Sequence, residues 1–503
     1  MQQDGLPSFA RPSADGRAAN YTQIAIIGSG FSGLGAAAQL RRAHFDDFVI
    51  FERASELGGT WRDNSYPGCA CDVESHLYSF SFAPNPGWSR TFSRQPEILA
   101  YLQRCADTFG LRPHVRFQHE LLTASWDEQQ RVWQLQTSQG AFTASILIGG
   151  MGALSEPAFP ELRGLSRFQG KTFHSAQWDH AYDLTDRKVA VIGTGASAVQ
   201  FVPEIQPKVK QLTLFQRTPA WVLPRLDRPI SRLEQGLFSR LPPLRALVRA
   251  GIYARREAFV LVFRHPRVAH LVEPLAKRYL AATISDPALR EKLTPNFRLG
   301  CKRVLVSSDY LPALARDNVQ VVSRPIREVT ARGIVTSDGV EHDFDAIIFG
   351  TGFHVTDMPF GERIRGRAGR TLNESWNGSP QAHLGTTVSG FPNLFLLLGP
   401  NTALGHTSVV LMIEAQIELV LRALEHMRAR DLDCIETKPE AQARSVGEVD
   451  RDMEGTVWTA GGCNSWYLDR TGRNSTLWPS YTFSFMRRAR FRPADYAWAS
   501  SST

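Results

Sequence analysis

The chain has few cysteines, no long apolar run and no block of like charge. Its six cysteines (Cys69, Cys71, Cys105, Cys301, Cys434 and Cys463) are too few for a disulfide scaffold in 503 residues. A reducing, cytoplasmic setting fits them best. Cys69 and Cys71 stand one residue apart, which strains any mutual disulfide. The spacings also contain no C-x-x-C or C-x-x-x-x-C redox pair. Near them only His76 could join a metal site, so no metal is expected. The first twenty residues lack an apolar core, and no stretch of about eighteen apolar residues appears, which argues against secretion and membrane spanning. The net charge of +8 is not gathered into runs of five or six cations, so nucleic acid is not indicated. A partner bearing phosphates accounts for part of that charge.

With 43% hydrophobic and 21% charged residues, the composition is that of an ordinary globular protein. The length predicts two or three domains. "IAIIGSGFSGLGAAAQL" reads as strand, glycine turn and helix, with Gly28, Gly30 and Gly33 in G-x-G-x-x-G. The first glycine permits the turn, the second lets backbone approach a pyrophosphate, and the third lets helix and strand pack closely. Phe31 and Ser32 lie inside the motif. The next strand, "DFVIFE", ends in Glu52, twenty-four residues after Gly28, where a carboxylate can accept from ribose hydroxyls; Arg53 follows it.

The pattern recurs in "VAVIGTGASAVQF", with Gly193, Gly195 and Ala198 at the key positions and Thr194, Ala196 and Ser197 between them. Its second strand leads through Gln216 to Arg217 and Thr218. Arg217 stands where the first copy has Glu52. A carboxylate there would repel a 2'-phosphate, whereas a guanidinium pairs with it. The first site therefore suits a dinucleotide with a free ribose, and the second suits NADPH. The predicted fold is α/β, with two Rossmann-like dinucleotide-binding domains, FAD in the outer one and NADPH in the inner. The expected boundaries are a tail over 1–22, the first part of the FAD domain over 23–160, the NADPH domain over 161–389 with a helical insert at about 230–295, and the second part of the FAD domain over 390–503. Ile413, Ile417, Val420, Leu421 and Leu424 recur at helical spacing and predict one buried helix face.

Two longer motifs carry a family resemblance. "FQGKTFHSAQWD", Phe168 to Asp179, matches F-x-G-x-x-x-H-x-x-x-W-[P/D]. "GGTWRDNSYPGCACD", Gly58 to Asp72, matches [A/G]-G-x-W-x-x-x-x-[F/Y]-P-[G/M]-x-x-x-D. With both in place beside two glycine turns, the chain resembles the Baeyer–Villiger monooxygenases over roughly Ile24 to Tyr496. Glu74, where proline is the pattern, and Ser480, where glycine is, depart from it.

The resemblance implies FAD and NADPH as cofactors, with dioxygen and a small-molecule ketone as substrates and an ester or lactone as product. Oxygen activated on reduced flavin must keep its negative charge, which calls for a permanent cation and little water. Arg303, in "GCKRVL", matches the family's active-site arginine, and Asp72 matches the aspartate that holds it; an acid–base role for Asp72 is the alternative. Gly59, Thr60, Trp61, Tyr78 and Leu121 are implied to meet FAD. Lys302 and Trp466 are implied to meet NADPH. His174 and Trp178 belong to the linker motif, where hinge movement is the implied work. Oxygenation of sulfur or nitrogen, and a flavin-dependent reductase or NADPH oxidase, are the competing activities.

Overall fold

A computed structural model describes residues 20–500, so most of the expected tail over 1–22 lies outside the described residues. The run Ile24–Ile27 is almost wholly enclosed, and a strand buried on both faces needs neighbours on both edges. β1 (Tyr21–Ile27) has them. β2 (Phe48–Phe51) lies parallel on one side, Ile24 opposite Phe48 and Ile27 opposite Phe51. β3 (Gly140–Gly149) lies parallel on the other, Tyr21 opposite Thr143 and Ile27 opposite Gly149. Antiparallel strands Val132–Thr137 and Leu121–Asp127 extend the sheet beyond β3.

α1 (Phe31–Arg42) crosses from β1 to β2, and its inner face is built of glycine, alanine and leucine. A Cβ on Gly33 would lie 1.9 Å from the Gly28 carbonyl oxygen, and one on Gly35 would lie 2.8 Å from the Phe80 ring. The helix thus sits closer to its strand than any other residue type would permit.

A second, wholly parallel sheet repeats the plan. It comprises β4 (Lys171–His174), β5 (Lys188–Ile192), β6 (Gln211–Phe215), β7 (Val319–Val322) and β8 (Ala346–Phe349), in the spatial order β7-β6-β5-β8-β4. α2 (Ala196–Ile205) crosses from β5 to β6. Between β6 and β7 the chain forms α3 (Arg232–Arg240), α4 (Pro242–Ala258), α5 (Val260–Arg264), α6 (Pro266–Thr283) and a short helix Pro287–Leu293. Ile364–Arg365 then pairs with Leu121–Asp127, back at the edge of the first sheet. Leu394–Leu396 pairs with β3.

α7 (Val409–Ala429) buries Ile413, Ile417, Val420, Leu421 and Leu424 and packs on α1. Among the described residues no helix is long and apolar enough to cross a membrane.

Asn393 joins three segments at the late return to the first sheet. Its amide nitrogen donates to the Ser145 carbonyl at 2.9 Å and the Asp433 carbonyl at 2.8 Å, and its oxygen accepts from the Ile435 N–H at 2.8 Å. The residue is 1% exposed and has φ of 55°, a conformation asparagine tolerates and branched residues do not. Asn393→Leu strands three buried polar groups and strains the backbone, so it should destabilise the protein by roughly 3 kcal/mol or more. Denaturant titration measures this, and an unchanged midpoint would dismiss the linchpin role.

Candidate active site

A cavity of about 1240 Å³ is lined by both glycine turns. On the first side, Gly28 leaves β1 with φ of +94°, and its N–H donates to the Phe51 carbonyl at 2.8 Å. A Cβ on Gly59 would lie 3.0 Å from the Gly30 Cα. Two bare backbones therefore form the floor here. The first turn of α1 carries no side-chain cap, which leaves its N–H groups for an anion.

Glu52 is 3% exposed. It accepts from the Ser29 N–H (3.0 Å) and hydroxyl (2.7 Å) and from the Ala54 N–H (2.9 Å), and it pairs with Arg62 at 2.9 Å. Trp61 donates to the Tyr78 hydroxyl at 3.1 Å, and the Tyr78 ring meets the Phe31 ring edge-on at 5.1 Å. These rings line the cavity with Leu121 and with the hydroxyl-bearing Ser32 and Thr60. Arg53 lies at the rim, its guanidinium on Glu156 and the Ser155 carbonyl.

On the second side, Gly193 has φ of +114°, and α2 likewise begins without a side-chain cap. Thr194, Gly195, Ala196 and Ser197 line the cavity. The Thr194 hydroxyl donates to the Thr218 carbonyl at 3.0 Å, and Lys302 Nζ donates to the Thr218 hydroxyl at 2.7 Å. Burial and the charge of Arg217 both lower the Lys302 pKa. Among the described residues no carboxylate lies within salt-bridge distance of Arg217 or Lys302, which suits the pair to an anionic group brought from outside. Gln216 borders this corner, but its amide is turned onto the Lys292 carbonyl at 2.7 Å.

Where the two sides meet, Arg303 donates from Nε at 3.0 Å and from Nη2 at 2.6 Å to the same Asp72 oxygen. Burial opposes ionisation of Asp72, but the guanidiniums of Arg303 and then Arg256 outweigh it and hold the carboxyl below its ordinary value. Asp72 in turn raises the pKa of Arg303. Tyr467, 1% exposed, borders the same corner. Trp466 beside it is 46% exposed, its ring 4.3 Å from that of Tyr467.

Three supports behind this pair cannot be assigned from local sequence. Arg256, near the end of α4, donates to the Asp72 carbonyl at 3.0 Å and to Glu74 at 2.7 Å. Glu74, the residue that departs from the family pattern, is 7% exposed and also binds Arg255. Cys301 and Cys463 form a disulfide, with Cα atoms 6.1 Å apart, and so tie the segment before Arg303 to the segment before Trp466. The reading of too few cysteines for a disulfide scaffold did not anticipate this single bridge. It forms because folding brings together residues 162 apart in the chain.

Several singled-out residues lie outside the cavity. Gly33 packs helix on strand, and Ala198, fully buried, faces Gly350. His174 is fully buried at the end of β4, its ring against Phe159 and Phe353, and its Nδ1 accepts from the Ala176 N–H at 3.1 Å. Burial pushes its pKa down to about 4, so the imidazole is neutral at neutral pH. Trp178 packs on Phe173 and Phe201. None of the four lines the cavity.

The stretch from Gly58 to Asp72 reaches across to α2. Tyr66 donates to the Gln200 side-chain oxygen at 2.9 Å, and the Gln200 amide donates to the Ala70 carbonyl at 2.9 Å. Cys69 and Cys71 are buried, and burial pushes the Cys69 thiol up to about 12. Both therefore act as small packing residues.

Residues 21–241 match the family model described as flavin-binding monooxygenase-like. A protein of Streptomyces coelicolor named Baeyer-Villiger monooxygenase is 54% identical, covering 93% of this chain and 91% of that protein. Among solved structures, cyclohexanone monooxygenase from Rhodococcus sp. Phi1 bound to NADP+ aligns with a TM-score of 0.86 at 30% identity, covering 96% of this chain and 100% of that one. OTEMO in complex with FAD and NADP aligns with a TM-score of 0.86 at 29% identity, covering 95% and 99%.

Because the folded pKa of Asp72 is depressed, the pair's contribution is complete above the ordinary carboxylate range and is lost as pH falls through the lowered value. Asp72→Asn should cost roughly 2–3 kcal/mol by taking the charged hydrogen bonds from the guanidinium. The gap in thermal midpoint between parent and variant should be constant above about pH 5 and should narrow below about pH 4. A gap that widens on acidification would contradict this sign.

Proposed function

Because this chain belongs to the Baeyer–Villiger monooxygenases, we propose that it is an FAD-containing, NADPH-dependent enzyme that inserts one oxygen atom beside a ketone carbonyl to give an ester or lactone. The observation that carries this reading is the Asp72–Arg303 pair, set in one cavity between two anion cradles of opposite side-chain charge. When bound, NADPH supplies the hydride, and reduced FAD activates dioxygen for insertion.

The residues present fit both cofactors. On the first side, the bare backbones of Gly30 and Gly59 leave the room a side chain would fill. The uncapped α1 offers N–H groups to a pyrophosphate, and Glu52 offers a carboxylate to ribose hydroxyls. The Phe31, Trp61 and Tyr78 rings, set edge to face, give an apolar border suited to a flavin. On the second side, Arg217 and Lys302 stand without acidic partners where a 2'-phosphate would supply the missing charge.

Arg303 is the catalytic cation. Its guanidinium keeps its charge at any working pH, and Asp72, gripping it through one carboxylate oxygen, fixes where that charge points. Negative charge that builds on oxygen atoms during insertion is stabilised there, in a cavity walled by apolar rings. Asp72 is a positioning residue, since its charge is already spent on Arg303. Trp466, half exposed at the cavity beside Tyr467, is the side chain that would help hold NADPH there.

Arg303→Ala should slow ester formation at least ~100-fold, equivalent to ~3 kcal/mol. NADPH binding measured by titration should change little. Product formation close to the parent rate would remove Arg303 from the chemistry. Arg217→Ala should reduce the preference for NADPH over NADH by roughly 10- to 100-fold, the value of a charged hydrogen bond. An unchanged preference would place the 2'-phosphate elsewhere.

A further inference from the structure

The net charge of the chain is +8, and residues 225–278 alone hold twelve arginines and lysines against four acidic residues. That segment therefore carries a net +8, and the remainder of the chain is balanced. The same segment holds ten of the eighteen large hydrophobic side chains that are exposed among the described residues. Arg255 and Arg256 of this segment face Glu74 and Asp72, and Arg249 faces His76, but neither the cofactor cradles nor the Asp72–Arg303 pair accounts for the exposed leucines or for the cations that stand beside them.

The apolar side chains are ordered along α3 and α4. Leu233 and Leu237 stand four apart on α3, 74% and 39% exposed; Leu244 and Leu247 stand three apart on α4, 36% and 69% exposed. Leu226 and Leu241 flank them at 79% and 48%. Spacings of three and four put each pair on one helix face. The inner faces are spoken for. Phe238 of α3 packs edge-on against His76 at 4.8 Å, and Arg249 of α4 donates to the His76 carbonyl at 2.5 Å. Each helix thus turns leucine outward, and α4 turns arginine inward, the reverse of a water-facing helix. Arg232 and Arg240 are exposed beside the leucines, and among the described residues neither has an acidic partner.

Charge decides what such a face fits. A second copy of this chain would bring the same cationic patch against itself in a two-fold contact. Nucleic acid would match the charge and leave the leucines uncovered. An anionic bilayer surface meets both demands, apolar side chains entering the acyl boundary while arginines remain at the headgroups. We propose that α3 and α4 form a peripheral docking face for anionic phospholipid membranes. The face does not depend on the oxidation assigned to the cavity, so its test reads binding and not turnover.

The purified full-length holoprotein is floated with vesicles of phosphatidylcholine alone or containing phosphatidylglycerol, at low and high salt. It should float with the phosphatidylglycerol vesicles, stay behind with phosphatidylcholine alone, and be released by salt. Leu233→Ser with Leu237→Ser, and separately Leu244→Ser with Leu247→Ser, should weaken partitioning roughly tenfold or more. Arg232→Gln with Arg240→Gln should flatten the salt dependence. Leu122→Ser, at a 44% exposed leucine on the first sheet, should change nothing. The lipid comparison needs no variant, so it stands even where a substitution impairs folding. Equal flotation with both vesicle types, no flotation, or leucine variants that float like the parent would each overturn the proposal. So would a concentration-dependent dimer that the leucine variants dissolve while vesicles bind nothing.

Discussion

Asp72 and Arg303 lie 231 residues apart in sequence, Asp72 after the first glycine turn and Arg303 after the second. Neither charge would be stable alone in a cavity walled by apolar rings, because an unpaired ion there forfeits its hydration. Together they offset the cost, and they sit in the one cavity that both glycine turns line. The surroundings reinforce the pair from behind. Glu74 and Arg256 anchor the backbone of Asp72 to α4, and the Cys301–Cys463 disulfide fastens the segment that carries Arg303. The Gln200 clasp on Tyr66 and Ala70 holds the same stretch to α2.

The two cradles show how one backbone plan serves two cofactors. Both use a parallel strand, a turn with positive φ and a helix begun without a side-chain cap. What differs is the charged residue that comes one or two places after the second strand. Glu52 is buried and already bonded by Ser29, Ala54 and Arg62, while Arg217 stands exposed beside Lys302. One side therefore holds a carboxylate and the other a pair of cations, and a change of one side chain separates a ribose site from a phosphate site.

The glycine turns were legible in sequence because turn, helix start and the residue after the next strand lie within some twenty-five positions. Their physics is local. The limits of that reading are equally physical. Gly33 and Ala198 share the motif with true lining residues, but their positions face strand and not cavity. Arg53 adjoins Glu52 and lines the rim, where an acid contributed by a distant loop holds its guanidinium. Arg256, Gln200 and Tyr467 become neighbours of the site through tertiary packing, which no spacing in the chain encodes. Glu74 was visible as a departure from pattern, but its meaning depended on two arginines more than 180 positions away.

The central claim is that this cavity puts one atom of dioxygen into a carbon–carbon bond beside a ketone carbonyl. Turnover with NADPH and a panel of cyclic, linear and aryl ketones under oxygen-18 gas tests it most directly, read by product mass. The account predicts an ester or lactone that carries one heavy oxygen for each NADPH oxidised. NADPH oxidation that yields hydrogen peroxide with every ketone, or heavy oxygen found on sulfur or nitrogen substrates alone, would contradict it.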